Sequence, residues 1–388
     1  MNIRLLTSFL FLLASAAATA QHSLTIQVNS IPALHKEDAV FVAGNFNGWN
    51  PGNASYELKR KNGKLEVVIP GLKKDVYEFK FTRGDWSKVS CLASGADMSN
   101  HLVQLSSDTT IVYSIEAWKD DFGTVERQHT ASANVSVIDT AFFIPQLNRS
   151  RKIWIYLPAS YATSKKKYPV LYMHDGQNIF DAYTSGYGEW GVDECLDSLM
   201  QNGRNECIVV GIDNGPRRLN EYNPYDNERF GAGEGKAYAA FLAETLKPFI
   251  DKRYRTLTDR MNTIIAGSSM GGLISYYAQL AYPSVFGKAG VFSPAFWTAP
   301  QIIPSTDSLV KNANGKFFFY MGGLEGEEYM NDMYDVLQQL GTRSSALIYS
   351  VVDPEGSHNE AAWRKWFPEF FRFIMADWTN YIIKTEEN

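Results

Sequence analysis

One segment, residues 264–272, constrains the fold of this chain more than any other. An apolar run typical of a buried strand ends there in the pattern Gly-x-Ser-x-Gly, and a helix-like segment follows at once. A turn this tight leaves no room for side chains at Gly267 and Gly271, because the strand and helix backbones nearly touch. Ser269 is therefore predicted at the tip of the turn, with its hydroxyl exposed and the amide dipoles of the helix directed toward it.

This strand, turn and helix resemble the nucleophile elbow of α/β-hydrolases, in which the central serine is the nucleophile. The alternative is a glycine-rich turn in another α/β fold, since short Gly- and Ser-rich patterns also arise by chance. The strand before the pattern and the helix after it favour the catalytic interpretation of Ser269.

The composition excludes several classes of protein. With 388 residues, of which 45% are hydrophobic and 20% charged, the chain is long enough for one large and one smaller globular domain. The net charge is −5, so no nucleic-acid partner is predicted, because binding one requires a basic face. The sequence contains no zinc-ligand spacing and no phosphate-binding glycine loop, so no metal and no cofactor are predicted.

Residues 1–20 have the pattern of a secretory signal peptide. Arg4 precedes an apolar core over residues 5–13, and residues 18–20 form a small-x-small cleavage site. We therefore expect a secreted or periplasmic protein whose mature chain begins at Gln21, with an uncleaved anchor as the alternative. No later segment is long and apolar enough to span a membrane.

The three cysteines do not form a disulfide framework. Cys195 and Cys207 are interpreted as buried free thiols, since both lie in apolar runs. A bridge between them is the alternative in an oxidising compartment.

The first part of the chain has the pattern of an all-β domain. Short alternating or apolar segments lie between clusters of turn residues, at residues 24–28, 39–43, 64–69, 76–81 and 109–113. This spacing predicts a β-sandwich of about a hundred residues, assigned to residues 21–118. The polar residues 119–132 are interpreted as a linker to a second domain, residues 133–388.

Three stretches of this predicted sandwich, residues 42–50, 77–86 and 100–105, resemble glycogen- and starch-binding modules with an immunoglobulin-like fold. The resemblance implies sugar contacts by Trp49, Trp86, Lys80 and Asn100. Aromatic faces stack on sugar rings, while lysine and asparagine hydrogen-bond to hydroxyls. The alternatives are that the first tryptophan fills the sandwich interior and that the module is a structural cap.

The second part alternates strands with helix-length segments. An antiparallel opening pair is predicted at residues 135–143 and 151–157. Further strands are predicted at residues 168–173, 206–212, 262–266, 288–292, 316–321 and 346–352. This alternation predicts an α/β fold with a mostly parallel sheet covered by helices on both faces. Right-handed crossovers then bring the loops that follow the strands to one edge, where reactive side chains should lie.

An exposed serine needs a base to become a good nucleophile. Only two of the six histidines, His174 and His358, lie beyond the predicted linker. The loop after the last predicted strand contains His358, and the α/β-hydrolase order Ser…acid…His places the base there. His358 is therefore the predicted general base.

The acid that orients this base should follow the strand at residues 316–321. Glu325 is the first carboxylate after that strand, and the glycines around it let the backbone turn its side chain toward the histidine. Three other carboxylates remain as alternatives: Glu328, Asp332 and Asp353.

The oxyanion hole needs two backbone N–H groups. One is predicted to come from Met270, which follows the nucleophile, and the other from Gln177, in the loop after the first parallel strand. His174 and Asp175, in the same loop, are predicted to brace it rather than to transfer protons.

Four motifs together resemble the putative-esterase family of α/β-hydrolases, at residues 172–178, 267–272, 292–297 and 356–363. This family includes feruloyl, acetylxylan and enterochelin esterases, S-formylglutathione hydrolase and mycolyltransferases. The resemblance covers about residues 130–380 and implies a triad of Ser269, an acid after the penultimate strand, and His358. With the sandwich ahead of it, the chain is similar to secreted carbohydrate esterases that carry a glycogen-binding-like module.

The substrate pocket is less constrained by the sequence. In the enzymes that this chain resembles, the Arg-x-x-Glu-Tyr stretch shapes the pocket, so Arg218 and Glu221 are predicted either to bind substrate or to pair with each other. Aromatic residues near the motifs suit a phenolic acyl group or a sugar, or an ordinary pocket wall: Trp190, Phe296, Trp297 and Trp363. Among them, Trp297 is taken as a predicted substrate contact.

These observations predict a secreted serine carboxylesterase with a Ser-His-Glu triad. Its expected substrates are acyl or feruloyl esters on polysaccharides or oligosaccharides. One alternative is a catecholate siderophore (enterochelin-type) esterase, in which the sandwich is a cap. An alternative of another class is a catalytically inactive glycan-binding protein, which the presence of Ser269, Glu325 and His358 argues against.

Overall fold

The computed structural model describes residues 21–376, except for residues 62, 96, 99, 123–127, 187 and 201–204. The chain divides into two compact units, Met1–Glu126 and Arg127–Asn388. The predicted signal peptide, residues 1–20, lies outside the described residues.

The first unit is built of β-strands, as predicted. Its strands are β1 (His22–Ser30), β2 (Val40–Gly44), β3 (Glu57–Lys61), β4 (Lys64–Leu72), β5 (Asp75–Thr82), β6 (Ser90–Cys91), β7 (His101–Leu105), β8 (Thr109–Ser114) and β9 (Ala117–Trp118). They follow the order β7-β5-β2-β3-β4-β1-β8, with β6 and β9 paired separately. Alternate residues face the interior, for example Tyr77, Phe79 and Phe81 of β5, because side chains of a strand point to opposite faces in turn.

Both ends of the predicted linker, residues 119–132, make hydrogen bonds or ion pairs within one of the two units. Lys119 donates its backbone N–H to the carbonyl of Val89 within the first unit. On the other side, His129 Nδ1 lies 2.7 Å from Asp181 Oδ2, within the second unit. The predicted linker therefore includes residues that belong to each unit, and residues 123–127 between them lie outside the described part.

The second unit contains one eight-stranded sheet in the order β10-β11-β13-β12-β14-β15-β16-β17. Its strands are β10 (Val135–Ile144), β11 (Arg149–Tyr156), β12 (Val170–His174), β13 (Ile208–Ile212), β14 (Thr263–Ser268), β15 (Lys288–Phe292), β16 (Lys316–Gly322) and β17 (Leu347–Asp353). The strands from β12 onward pair in parallel, whereas β10 and β11 pair antiparallel.

Helices cover both faces of this sheet. They are α1 (Val192–Leu199), α2 (Arg218–Glu221), α3 (Gly235–Ala240), α4 (Lys247–Arg253), α5 (Met270–Ala281), α6 (Ile302–Leu309), α7 (Glu327–Arg343) and α8 (Glu360–Met375), and a π-helical segment, Phe241–Leu246, joins α3 to α4. Two hydrophobic clusters result, one containing residues of α3, α5 and α7 and the other residues of α1 and α8. Every residue of β12 to β16 is buried, which explains why these strands read as continuous apolar runs.

The strand order determines which loops meet. Because β14 lies between β12 and β15, the turn after β14 is flanked by the loops that follow those two strands. In parallel strands these loops share one edge of the sheet. Ser269, at the end of β14, is therefore adjacent to the loop that contains Gln177.

Candidate active site

Ser269 has an unusual backbone conformation, with φ 58° and ψ −121°. Such a conformation costs a non-glycine residue about 1–3 kcal/mol and persists only where the surroundings enforce it. Here the N–H of Ser269 donates to Phe292 O at 2.9 Å, and its carbonyl accepts from Leu273 and Ala295, both at 3.1 Å. These bonds hold the serine at the junction between β14 and α5.

Close packing requires glycine at position 267, as predicted, and also at position 272, whereas a Cβ at Gly271 would come no closer than 3.3 Å to another atom, the Cβ of His174. A Cβ at Gly267 would lie 2.9 Å from both the carbonyl carbon of Gly271 and Cδ2 of His174. A Cβ at Gly272 would lie 2.8 Å from the carbonyl oxygen of Phe292. The strand and the helix therefore approach each other at a distance that only glycine permits.

The structure brings His358 and Glu325 together. His358 Nδ1 donates to Glu325 Oε2 at 2.6 Å, and the imidazole is 45% exposed whereas the carboxylate is buried. The second oxygen, Glu325 Oε1, accepts from Ser293 Oγ at 2.6 Å and from the N–H of Gly322 at 2.9 Å. Both carboxylate oxygens are thus hydrogen-bonded, which offsets the cost of burying the charge.

Asp353, one of the alternative acids, has other partners. Its Oδ2 accepts from Lys365 Nζ at 2.7 Å and from Trp366 Nε1 at 2.8 Å. These hydrogen bonds, the first of them from Lys365, lower the pKa of Asp353. The carboxylate that pairs with His358 in the structure is that of Glu325.

The loop after β12 is anchored through Asp175, which has a left-handed φ of 58°. Burial acts to raise the pKa of Asp175, but the adjacent Arg218 guanidinium holds it below its usual value. In the same loop, Gln177 Oε1 accepts from the N–H of Asn214 at 3.1 Å, and Gln177 O accepts from Thr184 Oγ1 at 2.8 Å. Gln177 is therefore fixed by both its side chain and its carbonyl.

His174 is buried beneath this loop and beneath the turn after β14. Its Nδ1 lies 3.1 Å from the Tyr238 hydroxyl, and burial lowers its pKa to about 4. A neutral imidazole packed against Gly267 and Gly271 braces the turn and is not exposed to substrate.

The structure corrects the prediction for Glu221. This side chain is 0% exposed and forms ion pairs with Arg149 Nη1, at 2.7 Å, and with Arg151. It is therefore unavailable to substrate, and its predicted pairing with Arg218 is wrong because Arg218 pairs with Asp175. Both arginines come from β11, far away in sequence, so no local pattern identifies them as partners.

Of the four aromatic residues near the motifs, only Trp297 is exposed. Trp190, Phe296 and Trp363 are buried in the core, whereas 40% of the Trp297 surface is accessible. The Trp297 ring lies 6.1 Å from that of Phe230 and 6.3 Å from that of Tyr329. These three aromatic side chains, the Trp297 cluster, lie in segments that follow β13, β15 and β16.

The sequence analysis did not identify Glu360, the first residue of α8. Its side chain is buried, and Asn178 Nδ2 donates to its Oε1 at 3.4 Å. Burial raises the pKa of Glu360 to about 7, and Asp175 also raises it. Its position two residues after His358 is the only signal that the sequence offers.

In the first unit, Trp49 and Trp86 lie side by side, with ring centroids 6.3 Å apart. Trp86 is 41% exposed and Trp49 is half-buried, so Trp49 does not fill the sandwich interior. Asn100 donates to Glu78 Oε2 at 2.9 Å. Burial lowers the pKa of Lys80, which also interacts electrostatically with Asp97.

Among the described residues, one acidic cluster has the spacing of a metal site. Glu189, Asp193 and Glu194 each offer one carboxylate oxygen, and these oxygens lie within 4.8 Å of one another. Arg364 is 3.8 Å from Glu189, and burial, with Glu194, raises the pKa of Asp193 to about 7.

Ser269 in a strained strand-to-helix turn and the hydrogen-bonded pair of Glu325 and His358 lie at one edge of this sheet, an arrangement typical of α/β-hydrolases. The family model described as "Putative esterase" matches residues 144–374, more than half of the chain, and the chain belongs to this family. The protein is thus a carboxylic ester hydrolase. Within its described part, no helix has both the length and the apolar character needed to cross a membrane. Cys195 and Cys207 are free thiols.

Three curated proteins are similar to this chain. The uncharacterized protein YbbA of Bacillus subtilis (strain 168) is 31% identical over 46% of this chain and 70% of its own length. An endo-1,4-beta-xylanase/feruloyl esterase of Xylanibacter ruminicola is 27% identical over 54% of this chain and 27% of that protein. The iron(III) salmochelin esterase of Escherichia coli O6:H1 is 25% identical over 56% of this chain and 52% of that protein.

Among solved structures, the enterobactin esterase FES of Shigella flexneri, determined in the presence of 2,3-di-hydroxy-N-benzoyl-serine, superimposes with a TM-score of 0.52. The match covers 90% of this chain and 92% of that one, at 14% sequence identity. At that identity the similarity shows a shared fold.

Proposed function

We propose that this protein is a secreted serine esterase that hydrolyses acyl or feruloyl esters on polysaccharides or oligosaccharides. The proposed triad consists of Ser269, His358 and Glu325, and no cofactor takes part. The observation that carries the proposal is the 2.6 Å hydrogen bond between His358 Nδ1 and Glu325 Oε2, at the sheet edge where Ser269 occupies the strained turn.

The hydrogen bond to Glu325 supports distinct proposed roles for the two ring nitrogens of His358. A carboxylate only accepts, so His358 Nδ1 carries the proton of the 2.6 Å bond and Nε2 carries the lone pair. In the proposed mechanism Nε2 removes the hydroxyl proton of Ser269 as its Oγ attacks the ester carbonyl. The imidazolium then protonates the leaving alcohol, and Glu325 stabilises its charge.

The oxyanion that forms in this step is proposed to accept hydrogen bonds from the N–H groups of Met270 and Gln177. Met270 is the first residue of α5, where backbone N–H groups have no partner within the helix. Gln177 lies in the loop fixed to Asp175, Asn214 and Thr184. Water, activated by the same histidine, then hydrolyses the acyl-enzyme.

A feruloyl or other phenolic acyl group is supported by the Trp297 cluster. Three neighbouring aromatic side chains, of which Trp297 is 40% exposed, suit a planar ring, which stacks on or packs edge-to-face against them. The similarity to a bifunctional xylanase/feruloyl esterase favours the same substrate class. Arg218, whose guanidinium is engaged by Asp175, is proposed to shape the pocket and not to bind the acyl group.

The first unit is proposed to be an immunoglobulin-like carbohydrate-binding module. The adjacent Trp49 and Trp86 rings form the sugar platform, and Lys80 and Asn100 complete the set implied by the resemblance. The N-terminal signal pattern supports export to the periplasm or the medium, where polysaccharides are found.

The decisive experiment compares the release of ferulate and of acetate from arabinoxylan by the mature protein, with Ser269→Ala as control. Ferulate release that is lost in the variant supports the proposal, and acetate release alone indicates a small acyl pocket. Hydrolysis of enterobactin, without action on either xylan ester, would instead assign the second candidate. The similarity to the salmochelin esterase is the observation that favours that candidate.

A further inference from the structure

Four side chains form a closed circuit of four contacts: the acid and the base of the proposed triad, Glu325 and His358, and two further residues, Ser293 and Trp363. Ser293 Oγ donates to Glu325 Oε1 at 2.6 Å, and Trp363 Nε1 donates to Ser293 Oγ at 2.9 Å. The Trp363 ring meets the His358 ring edge to face, with centroids 5.1 Å apart. The 2.6 Å bond between His358 Nδ1 and Glu325 Oε2 closes the circuit.

The two hydrogen-bonding partners of residue 293 require a side chain that both donates and accepts, such as a hydroxyl. The indole N–H of Trp363 only donates, and the carboxylate of Glu325 only accepts. A hydroxyl both donates and accepts, so Ser293 links the two groups without leaving either one unpaired. An alanine or a glycine at this position would leave a buried indole N–H and one carboxylate lone pair without partners.

Both linking residues are held in place by the fold. Ser293 is buried and directly follows β15, with a left-handed φ of 41°, and its N–H donates to Tyr320 O at 2.7 Å. Trp363 is buried in α8, and its ring packs against that of Trp190 with centroids 5.7 Å apart. The circuit thus connects the ends of two strands and a helix to the reactive pair.

We propose that Ser293 and Trp363 are positioning residues, which hold the acid and the base of the proposed triad in their reactive orientation. Ser293 fixes the rotation of the Glu325 carboxylate, and Trp363 limits the tilt of the His358 ring. The inference rests on the proposed triad, since neither positioning residue takes part in bond making. A misplacement of about 1 Å in such a pair costs about 100-fold in rate.

The test measures kcat, KM and the pH profile of kcat/KM on an aryl acetate for Ser293→Ala, Ser293→Gly and Trp363→Phe. Loss of the Ser293 hydroxyl lowers kcat by about 10- to 100-fold, with KM changed by less than about threefold, because a hydrogen bond to a charged group is lost. The acidic limb of the profile moves to higher pH, since a carboxylate with one donor fewer stabilises the imidazolium more strongly.

The glycine variant separates the hydroxyl from the backbone. Glycine adopts the left-handed φ of position 293 without strain, so a purely conformational role would leave Ser293→Gly fully active. Trp363→Phe removes the indole N–H and one of the two fused rings but leaves the hydrogen bond from Ser293 to Glu325 in place, so its kcat falls less than that of Ser293→Ala. The double variant Ser293→Ala/Trp363→Phe is no slower than Ser293→Ala, because both changes interrupt one circuit.

Trp366→Phe is the matched control. Trp366 lies on the same helix and donates its indole N–H to Asp353, a carboxylate outside the proposed triad, so this variant retains wild-type kinetics. The titratable groups that face the pair, Tyr320 and Glu360, are unchanged in every variant. Wild-type kcat and pH profile in Ser293→Ala or Ser293→Gly would overturn the inference, while undiminished activity in Glu325→Gln would overturn the triad itself.

Discussion

Arg218 and Asp175 form a two-pronged ion pair, from Nε to Oδ1 at 2.7 Å and from Nη2 to Oδ2 at 2.8 Å. The same guanidinium reaches the carbonyl of Ser268, the residue before the nucleophile, at 3.3 Å. One side chain therefore joins the loop after β12 to the turn after β14, which are the two segments proposed to supply the oxyanion hole.

Arg218→Lys should impair catalysis and stability together. Lysine has no planar fork and cannot make both bonds to the buried Asp175 carboxylate. We expect a loss of about 3 kcal/mol in the free energy of unfolding and about a 10-fold or greater fall in kcat. Denaturant unfolding and aryl acetate kinetics measure both. Arg217→Lys, at an exposed pair with Glu234 of 3.3 Å, should change stability by less than about 0.5 kcal/mol.

Gly267→Ala should inactivate the enzyme. The new methyl group would lie 2.9 Å from the backbone of Gly271 and from the buried His174 ring, so the turn must shift and carry Ser269 with it. We expect a loss of several kcal/mol of stability, as in other overpacked cores, and no measurable kcat. Gly341→Ala, in α7 and without atoms within 4 Å of the added Cβ, should instead stabilise by about 0.5–1 kcal/mol. Equal effects of the two changes would contradict this account.

The contribution of His174 to the free energy of unfolding, measured as the difference between the wild type and His174→Gln, should fall as the pH drops from about 6.5 to about 4. Its folded-state pKa is lowered to about 4, so in this interval the unfolded chain binds a proton that the folded protein does not. The contribution is about 3 kcal/mol for this fully buried group. Urea unfolding across this pH range tests it. His174→Gln should be less stable at neutral pH but should lose less stability on acidification.

Glu360 should produce the opposite dependence over an overlapping pH range, so its contribution is measured as the difference between the wild type and Glu360→Gln. Its folded-state pKa is raised to about 7, so its protonated form is favoured in the folded protein, and this contribution is lost as the pH rises from about 4.5 through 7. We expect Glu360→Gln to match the wild type near pH 4 and to exceed it by up to about 3 kcal/mol at pH 8. A constant difference between the two proteins across pH would refute the shift.

Sugar binding by the first unit should depend on the Trp49 and Trp86 pair. Replacing either tryptophan with alanine removes one stacking surface and should abolish retardation of the protein in starch or xylan gels. Activity on a soluble aryl acetate should stay unchanged, since neither residue belongs to the hydrolase unit. Val112→Ala, at another exposed apolar position of the first unit, is the control. If the wild type migrates without retardation in both the starch and the xylan gel, the proposal that the first unit binds sugar is wrong.

The sequence predicted the central strands of the second unit because β12 to β16 are buried on both faces and read as apolar runs. β15 spans Lys288–Phe292, as predicted, and β16 ends at Gly322, one residue beyond its predicted end. The structure also places Glu325 against His358, although the catalytic role of the pair stays a prediction.

What the sequence did not reveal depends on tertiary contacts. The partners of Glu221 come from β11, about seventy positions earlier in the chain, so its complete burial has no local signal. Trp363 was interpreted as a possible wall of the substrate pocket, but it is buried and its ring packs against that of His358. The sequence does not reveal this, because the packing of α8 decides which of its side chains reach the surface. The proposed positioning role of Ser293 has no local sequence signal for the same reason, because its two hydrogen-bond partners are 32 and 70 residues away.

The placement of His358 after β17, the last strand of the sheet, also has a kinetic consequence. Ser269 follows β14, and β15 and β16 must assemble between it and β17 before the base can approach. Contacts so distant in sequence form slowly, because loop-closure entropy opposes them. Recovery of esterase activity during refolding should therefore lag behind the burial of Trp154 in β11, and it reports when the final strand joins the sheet.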